Sequence, residues 1–194
     1  MNFLAHIYLS FGDAEVTLGN FIADSIRGNK YKHLPPRIIK GIELHRSIDT
    51  FTDAHKLHKK SSKRLHANYS HYSRVIVDIY YDHFLAKNWD RYSHTPLEEF
   101  VDEFYELLET NYDILPDGVT HMMPHMIADN WLLNYAKMEG IANVLNGMNR
   151  RTKNRSKMNL AIIDLEEHYK EFETEFTLFF EELIIFSKQK FDSL

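Results

Sequence analysis

The chain of 194 residues contains no cysteine. That excludes disulfides and thiolate metal sites. Any metal must be held by histidine and carboxylate, a donor set that suits manganese, magnesium, iron or catalytic zinc. The absence also fits a reducing compartment, and a cytoplasmic protein is expected. Glycine and proline are scarce, at seven and five residues, and so few breakers favour helices. No apolar run approaches the roughly 20 residues of a membrane span. The opening MNFLAHIYLSFGDAE lacks a basic segment and carries His6, unlike a secretory signal, so no membrane attachment is expected. Basic residues are not in excess. The formal net charge is -5, which argues against nucleic acid as a generic partner. There is no internal repeat and no low-complexity linker.

Apolar residues make up 44% of the chain and aromatics 13%, the composition of a globular protein rather than a disordered one. The length suits one domain over residues 1–194 with a sizeable core. An all-α, single-domain helical bundle is expected. Twelve histidines are many for this length.

The most informative stretch is Arg37 to Asp53, RIIKGIELHRSIDTFTD, with Pro35-Pro36 at its front, where proline suits a first helical turn. Ile38 and Ile42 share a helical face, and the same stripe continues to His45 and Asp49. The face that should be greasy ends in an imidazole and a carboxylate. Burying a lone carboxylate is costly unless it is paired or holds a metal. Residues four apart on a helix lie side by side, so His45 and Asp49 either form a hydrogen-bonded core pair or point at one ion. Asp53 extends the row if the helix runs that far.

Taken in order, residues 2 to 11 read as a short helix with Phe3, Leu4, Ile7, Tyr8 and Phe11 on one face. Asn2 and His6 lie off that face. After Gly12-Asp13 a second helix runs to about Ile26, with Asn20, Asp24 and Arg27 on its polar side, and Gly19 and Ala23 beside Asp24 permit a close approach. Asp53 to Tyr69 is a basic helical stretch with Lys56, Lys59, Lys60, Lys63 and Arg64, either a solvated face or a patch for an acidic partner. Residues 71 to 88 form a strong helix with His83 inside the apolar stripe and Asp78 and Asp82 on its flank. Two such helices plus Asp24 resemble ligands converging within a bundle. Thr95-Pro96-Leu97-Glu98 reads as a capping box opening a helix to about Tyr112. His121 and His125 are four apart, but Pro124 between them interrupts a helix. Asp129-Asn130-Trp131 begins an aromatic helix. Arg150, Arg151, Lys153, Arg155 and Lys157 form a basic loop with no acid among them, in a chain whose acids gather around 98–109 and 164–182. Such segregation suits docking a polyanion. A long final helix is expected over about 157 to 188.

The segments MNFLAH, GNFIADSIRG, GIELHRSIDTFTD and VDIYYDHF, in this order and spacing, resemble the bacterial acyl carrier protein phosphodiesterases, also called acyl carrier protein hydrolases. The resemblance runs from Met1 to about Trp89 and more loosely through Asn130-Trp131-Leu132 to the C-terminus. It implies a distant, HD-domain-like metal phosphohydrolase. Such an enzyme uses a divalent ion, usually manganese, to hydrolyse the phosphodiester joining 4'-phosphopantetheine to a serine of acyl carrier protein, and needs no organic cofactor. Ordinary HD domains carry adjacent His-Asp. Here the adjacent pair is reversed, Asp82-His83, so their ligand set cannot be copied. The matched segments imply Asp24, His45, Asp82 and His83 as metal ligands. Asp49 and Asp78 would orient them or add to them, with His6 as a neighbour in the catalytic site. Arg27 or Arg46 would clamp phosphate. The 56–64 stretch and Arg150, Arg151, Lys153 and Arg155 would receive the acidic carrier, with Arg37 and Lys40 as additions. Two other readings remain open at this point: an HD-like phosphohydrolase acting on a nucleotide or small phosphodiester, and a non-catalytic helical protein that binds an acidic partner.

Overall fold

The computed structural model describes residues 1–194 and is built of helices alone. In chain order these are α1 (Phe3–Tyr8), α2 (Ala14–Ile22), α3 (Pro36–Ala54), α4 (Lys56–Tyr69), α5 (Ser73–Lys87), α6 (Leu97–Thr110), α7 (Asp117–Ala128), α8 (Trp131–Asn134), α9 (Met138–Arg151), α10 (Ala161–Glu167) and α11 (Tyr169–Ser193), with short 3-10 turns between several of them. One contiguous core of 46 buried apolar residues joins them. No helix is long and apolar enough to cross a membrane.

The closest pairing is α2 on α3, and glycine makes it possible. A Cβ on Gly19 would lie 2.1 Å from the Ile38 carbonyl oxygen, and one on Gly41 would lie 2.2 Å from the Val16 carbonyl oxygen. The two backbones therefore touch where any side chain would hold them apart. The approach anticipated at Gly19 is that of α3 itself. It sets Asn20 and Asp24 of one segment against His45 and Asp49 of the other. The stripe Ile38, Ile42 and His45 is buried as its spacing predicts.

Several boundaries differ from the sequence expectation. The helix expected over 2–11 is only α1, because Phe11 and Gly12 take positive φ. Thr95 and Glu98 form no capping box. The residue capping α6 is Pro96, without a side-chain bond, and the Thr95 carbonyl accepts the Trp89 indole N–H instead. Pro124 lies within α7 without ending it. The expected long final helix is divided at His168, where φ and ψ leave the helical region, into α10 and α11. The aromatic helix after Asp129-Asn130 is a single turn, α8. Arg150 and Arg151, expected in a loop, close the last turn of α9.

Candidate metal centre

Four side chains from three segments meet between α1, α2 and α3. His45 and Asp49, one turn apart on α3, have Nε2 and Oδ2 3.1 Å apart. His6 of α1 places its Nε2 3.2 Å from the other Asp49 oxygen. Asp24, in the 3-10 turn after α2, brings Oδ1 to 3.2 Å from His45 Nε2. The two imidazoles stack at 3.9 Å between centroids. Candidate ligand atoms of His6, His45 and Asp49 all lie within 4.8 Å of one another. Both imidazoles are almost fully buried, whereas the side chains of Asp49 and Asp24 are 43% and 72% exposed. The site is a histidine floor with its carboxylates toward solvent.

Asn20 fixes both rings. It is fully buried, and its Nδ2 donates to the His6 carbonyl at 2.7 Å and to Ser10 Oγ at 3.1 Å. That orients the amide so that Oδ1 faces His6 Nδ1 at 2.9 Å. Its backbone carbonyl lies 2.8 Å from His45 Nδ1. Both Nδ1 atoms thus meet acceptors and must carry hydrogen, and both Nε2 atoms turn toward the carboxylates. A neutral imidazole then presents a lone pair at Nε2. Two lone pairs aimed at carboxylates repel unless a cation lies between them. His6 Nε2 is buried and makes no hydrogen bond. Anchored Nδ1, converging Nε2 and flanking carboxylates are how histidine holds a metal, and the donors present fit a divalent ion.

On His45 a proton can take the place of that cation. Burial pushes His45 down, but Asp24 and Asp49 outweigh it and hold its pKa at about 9, so a proton on Nε2 bridges the carboxylates. Burial, with the His45 charge beside it, drops His6 to about 4. Burial would raise Asp49, but the hydrogen bond from His45, the adjoining His6 ring and the charge of the Met1 α-ammonium hold it well below the carboxylate range. The hydrogen bond from His45 likewise lowers Asp24.

Asp78 stands beside this cluster. Its Oδ1 lies 3.2 Å from the Met1 α-ammonium, which is 3.8 Å from Asp49. His58 of α4 supports it, Nε2 to Oδ1 at 3.0 Å. His58 lies on the buried stripe of α4 with Ser61, Ser62 and Leu65, a three-and-four spacing that marks its burial in the sequence. Burial would raise Asp78, but the ammonium and His58 keep it lowered. The orienting role of Asn20 was hidden because its polar helix face reads as solvated.

Asp82 and His83, expected as ligands, are not brought to the cluster. Asp82 is fully buried and accepts the Leu4 and Ala5 amides at 2.8 and 3.3 Å, capping α1. Burial, partly offset by those amides, raises its pKa to about 7. His83 turns a further 100° around α5. It meets the Tyr135 carbonyl through Nδ1 at 2.7 Å and the Tyr169 hydroxyl through Nε2 at 2.8 Å, so both nitrogens are satisfied elsewhere. Asp53 pairs at the surface with Arg74.

The arginines divide in the same way. Arg46 donates to the Gly28 carbonyl and packs its guanidinium 4.6 Å from the Tyr31 ring, strapping the loop after α2. Arg27 lines a separate small pocket with Lys30 and His33. Arg37 pairs with Asp13, and Lys40 lies over Phe191. In the 56–64 stretch, Lys60 and Arg64 bind the buried Glu175. Arg150 and Arg151 line a cleft of about 1230 Å³ whose wall also includes Asp24 and Asp78. Lys153 and Arg155 are exposed beyond it. Their loop is braced by bonds among Asn149, Thr152, Asn154 and Ser156, with positive φ at Lys153, Asn154 and Lys157.

A family model described as acyl carrier protein phosphodiesterase matches residues 1–183. A protein of that name from Photorhabdus laumondii subsp. laumondii is 33% identical over 181 residues, covering 93% of this chain and 91% of the relative. One from Escherichia coli strain K12 / DH10B is 31% identical over 191 residues, covering 98% and 99%. No solved structure matches.

Proposed function

The chain belongs to the acyl carrier protein phosphodiesterase family, and on that premise we propose that it hydrolyses the phosphodiester between 4'-phosphopantetheine and the serine of acyl carrier protein. The products are apo carrier and free 4'-phosphopantetheine. His6, His45, Asp24 and Asp49 would hold a divalent cation, manganese before magnesium or iron. The observation that carries this is the pair of Asn20-anchored imidazoles whose Nε2 atoms face one carboxylate. Histidines gathered from separate helices of an all-α bundle also support the HD-domain-like reading.

A cation bound there supplies Lewis acidity to the phosphate and makes water a better nucleophile at neutral pH. The protein's own groups do the rest. Asn20 holds both rings in one tautomer. The exposed carboxylate of Asp24 faces incoming phosphodiester from the solvent side. Asp78, kept ionised and fixed by His58, orients the attacking water and receives its proton. Arg150 and Arg151 reach into the same cleft and offset phosphate charge, and Lys153 and Arg155 on the braced loop receive the acidic surface of the carrier.

The test follows the intact mass of holo acyl carrier protein incubated with the protein and manganese, beside EDTA and Asp24→Ala controls. Loss of the phosphopantetheine mass, dependent on metal and on Asp24, is the expected result. An unchanged carrier with metal-dependent cleavage of bis(p-nitrophenyl) phosphate would move the substrate to another phosphodiester. No turnover of either would overturn the enzyme reading.

A further inference from the structure

The cleft beside the histidine floor is larger than its chemistry at phosphorus needs. Its volume of about 1230 Å³ exceeds the roughly 300–1,000 Å³ of ordinary small-molecule sites. Its walls are unlike a phosphate pocket. Charge is confined to a few residues, among them Asp24 and Asp78, shared with the candidate site, and Arg150 and Arg151. The rest is mostly carboxamide and apolar surface, with the hydroxyl-bearing Ser25 and Tyr135 among it.

One face of α9 builds much of it. Gly140, Asn143, Val144, Gly147, Met148 and Arg151 follow each other at alternating spacings of three and one, the repeat of a single helical face. Asn143 is exposed and its neighbour Asn146 also lines the cleft. Asn134 of α8, packed against Gly140 and also lining the cleft, gives its Nδ2 to the Asp129 carbonyl at 2.8 Å and retains its side-chain carbonyl oxygen as an acceptor. Trp131, half-buried, adds a flat apolar surface. A Cβ on Gly147 would meet nothing closer than the Arg150 guanidinium at 3.9 Å, so the α9 backbone there borders open space.

We propose that this cleft is a binding site for the slender, amide-bearing aliphatic arm of the substrate, with the carboxamides of Asn134, Asn143 and Asn146 pairing with the arm's amides and Trp131, Val144 and Met148 packing on its carbons. An asparagine offers both two donors and an acceptor, the complement of a secondary amide in either direction. The arm leaves the phosphate at Asp24 and Asp78 and enters the cleft directly, because those two residues border both. Identifying the arm as pantetheine rests on the proposed function.

Free pantetheine, which has neither phosphate nor carrier, tests the site apart from the reaction. Trp89 is buried and bonded to Thr95, so a cleft ligand is reported by Trp131 fluorescence. Wild-type protein in EDTA should show a saturable change with Kd of about 1 mM, modest as expected for an unanchored flexible fragment. Gly147→Leu, which directs a side chain into the open space and favours the helix, should weaken binding at least tenfold, and Asn143→Leu several-fold. Unfolding curves check that both variants are folded. Saturable binding lost in the variants supports the inference. No binding to wild type, or equal binding to all three, overturns it, and so does binding of adenosine monophosphate in preference to pantetheine. Carrier cleavage is measured separately. Cleavage without pantetheine binding leaves the proposed function standing and removes the arm site. Binding without cleavage does the reverse.

Discussion

Asn20→Leu removes the group that orients both imidazoles while nearly conserving volume. Three side-chain bonds are lost: to His6 Nδ1, to the His6 carbonyl and to Ser10 Oγ. They are not equal. The His6 carbonyl retains the Ser10 hydroxyl as donor at 3.0 Å, so neither of those groups is orphaned. His6 Nδ1–H is left buried without an acceptor. An orphaned buried donor costs about 1–3 kcal/mol and each of the two other lost bonds about 1 kcal/mol, so the metal-free protein should lose about 3–5 kcal/mol of stability. The His45 anchor is the backbone carbonyl of residue 20 and survives the substitution. The effect on cation affinity should therefore be that of freeing one ring, a loss of about 10–100-fold, as for other outer groups behind metal-bound histidine. Urea unfolding in EDTA measures the first quantity. Electron paramagnetic resonance of free manganese during titration measures the second. A folded Asn20→Leu protein that binds manganese within twofold of wild type would refute the claim that these rings are ligands held by Asn20.

Three further outcomes are expected. Gly41→Ala forces a Cβ against the Val16 carbonyl and Asn20 amide, at 2.2 and 2.7 Å. Because backbone cannot rotate aside, the cost should exceed the ordinary overpacking range, at more than about 3 kcal/mol. A urea midpoint close to wild type would disprove the close α2–α3 contact. Manganese at about 100 times its Kd should add about 2.7 kcal/mol, about 5–10 °C in Tm at this chain length, and EDTA should abolish the gain in a calorimetric scan. Asp82 has a folded pKa of about 7, above its unfolded value, so the native state binds the extra proton. Its contribution is full below the unfolded pKa near 4 and is lost as pH rises through 7. Asp82→Asn keeps an acceptor for α1 and cannot ionise. Its stability relative to wild type should improve by about 3 kcal/mol between pH 4 and 8, and parallel urea midpoints across that range would contradict the assignment.

How far the site was legible depends on the helix that carries each residue. α3 has one buried face, and a three-and-four stripe of Ile38, Ile42, His45 and Asp49 gave the direction of the polar pair correctly. Asp24 and His6 had no such stripe to place them. Their approach depends on Gly19 and Gly41 letting two backbones touch, a tertiary fact that no local pattern encodes. α5 is the opposite case. From Ile79 through Ala86 every residue is buried, so that stretch of the helix has no solvent face, and periodicity cannot say toward which neighbour Asp82 or His83 turns.

The comparison of His45 with His83 shows where the information lies. Both are nearly inaccessible, at 5% and 1% exposure. Both place Nδ1 against a backbone carbonyl, at 2.8 and 2.7 Å. Each ring is therefore held in the tautomer that suits a metal ligand, and burial and anchoring together do not separate them. The difference is at Nε2. For His45 it meets two carboxylates, for His83 the hydroxyl of Tyr169. A hydroxyl can turn its hydrogen toward a neutral nitrogen and satisfy it completely. A carboxylate cannot, and needs a proton or a cation between. One half of the distinction is local, since Asp49 is one turn from His45. The other half is Tyr169, 86 positions from His83 in the chain, and it is that distant hydroxyl that turns a histidine with every near-neighbour mark of a ligand into part of the core.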